Sequence, residues 1–175
     1  AITQQLLAKG HRRIAFVTWY ETACTSVQDR ISGYRAALLQ AGIEPDPKLI
    51  WQDLYAGENK DGNNPNRLRV LLDEQAPTAL VVVNFIVSGY LLSDLARLGM
   101  QVQKDIAVAG FDLNHPSIHS PLTSPAAIQH GSELGRRAAN FLLERIQNFY
   151  QGPPRHAVIP TQLILKEPDY DFPLS

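Results

Sequence analysis

Apolar positions along this chain follow two spacings. Short uninterrupted apolar runs at Ile14–Val17, Ala79–Val83 and Ile106–Ala109 predict strands buried on both faces. Between them, apolar residues recur at helical spacing. Ile2, Leu6 and Leu7 predict a helix over 2–9 that Gly10 stops. Ile31, Tyr34, Leu38 and Ala41 form the stripe of a second helix, capped by Thr25 or Ser26 and ended by Gly42, Pro45 and Pro47. A short helix is expected around Arg67–Asp73. Another runs over Ile86–Leu98, with Val87, Leu91, Leu95 and Leu98 on one face and Gly99 as its stop. Ser132 caps a last helix reaching Gln147, with Leu134, Ala138, Phe141, Leu142 and Ile146 turned inward.

The remaining segments are less regular. Leu49–Trp51 is a further short strand candidate. Residues 53–66 (DLYAGENKDGNNPN) are polar and glycine-rich and read as a long loop, a kind of segment that often carries function. Residues 113–130, with Pro116, Pro121 and Pro125, read as an irregular crossing. Gly152-Pro153-Pro154 breaks the chain, Val158–Leu165 is a final extended segment, and the tail after Pro168 reads as loose. Alternating helices and strands of this kind predict an α/β fold, a mostly parallel sheet with helices on both faces.

Composition narrows the functional classes. A length of 175 residues suits one domain or a piece of a larger protein. A hydrophobic fraction of 45% with 19% charged residues excludes a disordered chain. Sixteen Lys+Arg against seventeen Asp+Glu give 16 − 17 = −1, which excludes binding to nucleic acid by bulk positive charge. A single cysteine, Cys24, excludes an intrachain disulfide and a cysteine-rich zinc site, and it reads as a small buried residue. The apolar runs are far too short to span a bilayer. Neither a signal peptide nor an initiator Met opens the chain, so the true N-terminus is expected upstream of Ala1.

Ligands of open parallel sheets sit beyond the carboxyl ends of the strands. At those ends stand Thr18, Trp19 and Tyr20, then Asn84 and Phe85, then Gly110, Phe111 and Asp112. Asn84 offers two donors and an acceptor, Asp112 a carboxylate acceptor, and Arg30, early on the helix after the first strand, a forked donor. Such groups suit the hydroxyls of a small polar ligand. The competing reading makes Asn84 and Asp112 turn formers or helix caps and Arg30 a surface ion pair. Trp19, Tyr20, Tyr55 and Phe85 are the aromatic candidates for stacking on a sugar face, with packing residues as the alternative.

Six segments, in order, resemble the lactose/galactose-repressor (LacI/GalR) family of bacterial transcription regulators. They are 7–17 (LAKGHRRIAFV), 30–38 (RISGYRAAL), 77–80 (PTAL) with Asn84 beyond it, 105–112 (DIAVAGFD), 121–123 (PLT) and 134–139 (LGRRAA). The resemblance covers about residues 1–166. It implies a type I periplasmic binding protein-like fold and a sugar or related polar effector held by Arg30, Asn84 and Asp112. The chain departs from the family's pattern in having Phe85 after Asn84 and Leu113 after Asp112, where family members usually carry acids.

The family also has a helix-turn-helix head and a two-lobed effector region. Residues 22–126 and 157–166 are therefore expected to form the C-terminal lobe, and 1–18 and 130–150 to be remnants of an N-terminal lobe, with the head outside this chain. The resemblance further implies a cytoplasmic homodimer without cofactor, contacting through the 86–98 helix and the segment near 115–121, and reaching operator DNA only through the head. Apolar surface on the 2–9 and 132–147 helices, left without its usual cover, is a separate physical motive for self-association.

Two other readings stay open at this level: a periplasmic sugar-binding protein of a transporter, with the same fold, and a small α/β enzyme. Against the enzyme, no G-x-S-x-G or G-x-G-x-x-G is present. His115 and His119 have metal-like spacing, but Pro116 and Pro121 argue against a helix that would bring them together.

Overall fold

The computed structural model describes residues 1–18, 24–52, 54–55, 64–111 and 124–165. Its elements in chain order are α1 (Ile2–Ala8), β1 (Ile14–Val17), α2 (Thr25–Gln40), a 3₁₀ turn (Pro47–Leu49), β2 (Ile50–Trp51), α3 (Pro65–Gln75), β3 (Ala79–Val82), α4 (Phe85–Arg97), β4 (Ala107–Phe111), β5 (Ala126–Ile128), α5 (Gly131–Ile146) and β6 (Gln162–Ile164).

The strands form one sheet in the order β2-β1-β3-β4-β5-β6. The first five are mutually parallel, and β6 closes the edge antiparallel to β5. β1 and β3 are buried at every position, as uninterrupted apolar strands in the middle of a parallel sheet must be. Right-handed crossovers put helices on both faces. On one face α1 packs against α2; on the other α3 packs against α4. Phe16 of β1 meets Tyr34 of α2 with ring centroids 5.5 Å apart. The Tyr34 hydroxyl donates to the Ile14 carbonyl at 2.7 Å, and burial pushes that hydroxyl up to about 12. Each fully buried aromatic or aliphatic side chain of this core contributes about 1.5–3 kcal/mol.

Several expectations are corrected. The helix expected at 67–73 spans Pro65–Gln75, because Asn64 accepts from the Arg67 N–H as its cap and Pro65 fills the first turn, where no N–H is needed. Cys24, not Thr25 or Ser26, is the N-cap residue of α2. The strand expected at 106–109 begins one residue later and runs through Gly110 to Phe111. Gly110 does not break it: a Cβ there would lie 2.4 Å from the Val82 carbonyl oxygen, so the close approach of β3 and β4 requires glycine. Residues 126–128, read as irregular, form β5, and of the extended 158–165 segment only Gln162–Ile164 joins the sheet.

β1 lies inside the same sheet, and Ile2, Thr3 and Leu6 of α1 are buried against it. The last helix begins earlier than expected, with His130 rather than Ser132 as its N-cap residue, and its apolar residues are not turned inward: none of its residues is buried, and Leu134, Leu142, Leu143 and Ile146 are exposed on it. No described helix is long and apolar enough to cross a membrane.

Candidate functional site

Strand order places the site. From β1 the chain moves outward to β2, then returns past β1 to β3. The direction of winding therefore reverses between β1 and β3, and a crevice opens where their carboxyl ends meet, the usual ligand position in such sheets. Thr18 follows β1 there, with a fully buried hydroxyl that has no hydrogen-bond partner among the described residues. Val83 and Asn84 follow β3, and Phe111 ends β4.

Arg30 reaches this edge from the second turn of α2. Its Nη1 donates to the Val83 carbonyl at 2.5 Å, and its guanidinium lies 4.2 Å from the centroid of the Phe111 ring. Stacking and hydrogen bond together fix the plane of the guanidinium. Sequence reasoning found Arg30 and missed Phe111, which is the platform. The available signal was its position directly after the apolar run, at a strand's carboxyl end. Beside them a cavity of about 330 Å³ opens between the first residues of α1 and the first half of α2, with Phe16 and Val81 as its floor and Arg30 and Phe111 in its wall.

Asn84 adopts the capping role. Its Oδ1 accepts from the Val87 N–H at 3.0 Å and starts α4. Its Nδ2 donates to no described residue. Replacing Asn84 by alanine is expected to lower stability by about 1 kcal/mol through the lost cap. A urea unfolding midpoint that does not move would show that the cap contributes nothing.

Phe85, the first residue of α4, is 37% exposed. Tyr55 is a correction: it is 5% exposed and packs on Tyr90 with ring centroids 5.7 Å apart, so its ring belongs to the core and is not offered to a ligand. Burial beside the Asp94 carboxylate also drives its hydroxyl above the ordinary tyrosine range. Trp19, Tyr20, Asp112, His115 and His119 lie outside the described residues. Cys24 is exposed rather than buried; its Sγ lies 3.2 Å from the Ser26 hydroxyl, which together with backbone N–H groups at the start of α2 holds the thiol below its usual value.

A family model described as "Periplasmic binding protein-like domain" matches residues 3–167. The chain belongs to that family. Among periplasmic binding protein-like relatives, the HTH-type transcriptional regulator CelR of Thermobifida fusca is 32% identical over 167 residues, which are 94% of this chain and 47% of CelR. The HTH-type transcriptional repressor PurR of Haemophilus influenzae (strain PittEE) is 30% identical over 160 residues, 90% of this chain and 46% of PurR. A solved transcriptional regulator CelR–cellobiose complex superposes with a TM-score of 0.77 at 30% identity, covering 95% of this chain and 50% of that one. The chain thus spans about half the length of the curated relatives it matches.

Proposed function

We propose that this chain is the non-catalytic effector-binding region of a bacterial transcription regulator, and that its effector is a sugar or a related small polar molecule. The observation that carries the reading is Arg30, held between the Val83 carbonyl and the Phe111 ring at the topological switch of the sheet. A planar, oriented guanidinium suits vicinal hydroxyls or a carbonyl oxygen. Asn84 adds an amide donor after β3, Asp112 follows Phe111 in the chain as the candidate acceptor, and Phe85, Trp19 and Tyr20 remain the aromatic candidates. Likeness to a regulator solved with cellobiose supports a carbohydrate.

The mechanism is a population shift. An effector that touches this lobe and a second one stabilises their closed arrangement, which changes the spacing of the DNA-binding heads in a homodimer. The uncovered apolar face of α5 is where such a second lobe would pack.

Calorimetry on the whole protein with cellobiose, a panel of other sugars and purines tests the reading. One of them should bind and change operator affinity, and Asp112→Ala should remove detectable binding of that ligand. A carboxylate can accept two charge-assisted hydroxyl bonds of about 1.5–3 kcal/mol each. Unchanged affinity in Asp112→Ala would take away the basis for this site.

A further inference from the structure

The opposite edge of the sheet, where the strands begin, holds a larger cavity of about 530 Å³. Four connections converge on it. α1 delivers Lys9 at its C-terminal end, and His11 follows before β1. Thr78 precedes β3, Gln103 and Lys104 form the turn before β4, and Ser124 precedes β5. Since β1, β3, β4 and β5 all run in one direction, this cavity and the Arg30 crevice lie at opposite ends of the strands.

The polar groups around it are not in equivalent states. The Gln103 amide donates to the Val108 carbonyl at 2.9 Å, which holds the turn closed. One Asp105 oxygen accepts from the Gln101 N–H at 2.7 Å, tying that carboxylate into the same turn. His11 Nδ1 lies 3.0 Å from the Thr78 hydroxyl, and burial, helped by Lys9, lowers the imidazole's pKa, so the ring is neutral at pH 7. Ser124 differs from all of these. It is 4% exposed, lines the cavity, and its Oγ has no hydrogen-bond partner among the described residues. A buried hydroxyl without a partner is costly unless a ligand or solvent satisfies it. Lys9 and Lys104 at the rim form no ion pair with any described residue, so with Asp105 the wall carries a net +1.

We propose that this cavity binds a small phosphate group, inorganic or carried on a monoester, with Ser124 donating a hydrogen bond to a phosphate oxygen and Lys9 and Lys104 neutralising its charge. Two ammonium groups outweigh the Asp105 carboxylate, which is already tied to the Gln101 N–H, a tetrahedral group can accept from a hydroxyl and two ammonium groups at once, and the mostly polar wall disfavours an apolar occupant. The site is separate from the effector crevice and does not depend on the function proposed for it.

The 175-residue chain, labelled with ¹⁵N, is titrated at constant ionic strength with inorganic phosphate and, separately, glycerol 3-phosphate, with chloride as the control. Saturable shifts are expected at the amides of His11, Gln103, Lys104 and Ser124, complete below about 20 mM, the range of a weak specific site. An ester that binds about tenfold tighter assigns the site to a monoester, and equal affinities assign it to inorganic phosphate. Ser124→Ala should weaken binding about tenfold, and Lys9→Gln with Lys104→Gln by more. Both variants should keep the wild-type unfolding temperature in phosphate-free buffer; if Ser124→Ala fails to fold, the surface lysine pair alone decides. Shifts that do not saturate, that chloride reproduces, or that the lysine variant leaves unchanged would overturn the proposal.

Discussion

Replacing Arg30 with alanine will weaken effector binding by at least about 100-fold, because a guanidinium that makes two charge-assisted bonds of about 1.5–3 kcal/mol contributes two decades or more of affinity. Arg30→Lys will not restore it. Lysine carries a point charge on a flexible stem, and it cannot lie flat on Phe111 while donating to Val83 and to a ligand in the same plane. Phe111→Leu is expected to produce a smaller loss, since it removes the platform and keeps the donors. Calorimetry with the effector found for the wild type reads all three. If Arg30→Ala binds within threefold of wild type, about 0.7 kcal/mol, the guanidinium serves only to tie α2 to the ends of β3 and β4.

The second large effect concerns stability. Asp94 on α4 is fully buried, and one carboxylate oxygen accepts from the Asn64 N–H at 2.7 Å, fastening the start of α3 to α4. Tyr55 stands beside it. Asp94→Ala leaves that N–H without its buried acceptor and opens space beside the buried Tyr55 hydroxyl, which should cost about 1–3 kcal/mol. For a chain of this length that lowers the unfolding temperature by about 2–12 °C.

The same residue makes stability depend on pH. Burial raises the Asp94 pKa, against the opposing effects of the Asn64 N–H, Arg97 and Tyr55. The folded state therefore holds its proton to a higher pH than the unfolded chain does. The contribution of the neutral acid is complete below the ordinary carboxylate value and is lost as pH rises through the raised one. Asp94→Asn imitates the protonated acid, accepting from Asn64 and donating towards Tyr55. Its unfolding temperature relative to wild type should rise as pH is taken from about 4 to 7. A difference that stays flat over that range would mean that Asp94 titrates at its ordinary value.

What could be read from the sequence follows from how each element is stabilised. β1 and β3 were legible because a strand covered on both faces must be apolar at every position. β5 was not, since its three residues are two alanines and an isoleucine between prolines and a polar segment, and its pairing comes from β4 and β6 rather than from local preference. Periodicity identified α5 as a helix, but periodicity only says that one face seeks cover and cannot say whether this chain supplies it.

At the site, Arg30 could be recognised from its motif and its early place on α2, whereas its seat on Phe111 depends on the extension of β4 two residues beyond Ala109, through Gly110, and on a side-chain contact between distant elements. Tyr55 was misjudged because an aromatic in a polar loop looks available to a ligand until a second aromatic, here Tyr90, is known to lie against it.

The antiparallel pairing of β6 with β5 has a consequence for how the chain acquires its fold during synthesis. Ala126–Ile128 leaves the ribosome long before Gln162–Ile164, with all of α5 made in between. During that interval β5 presents an unpaired margin of backbone N–H and C=O groups, beside a helix whose apolar face is also open. Late arrival of the closing strand makes the nascent chain most vulnerable to chaperone capture and to aggregation in that window. A stop codon placed between residues 147 and 161 should accordingly yield insoluble product, while truncation after residue 165 should not.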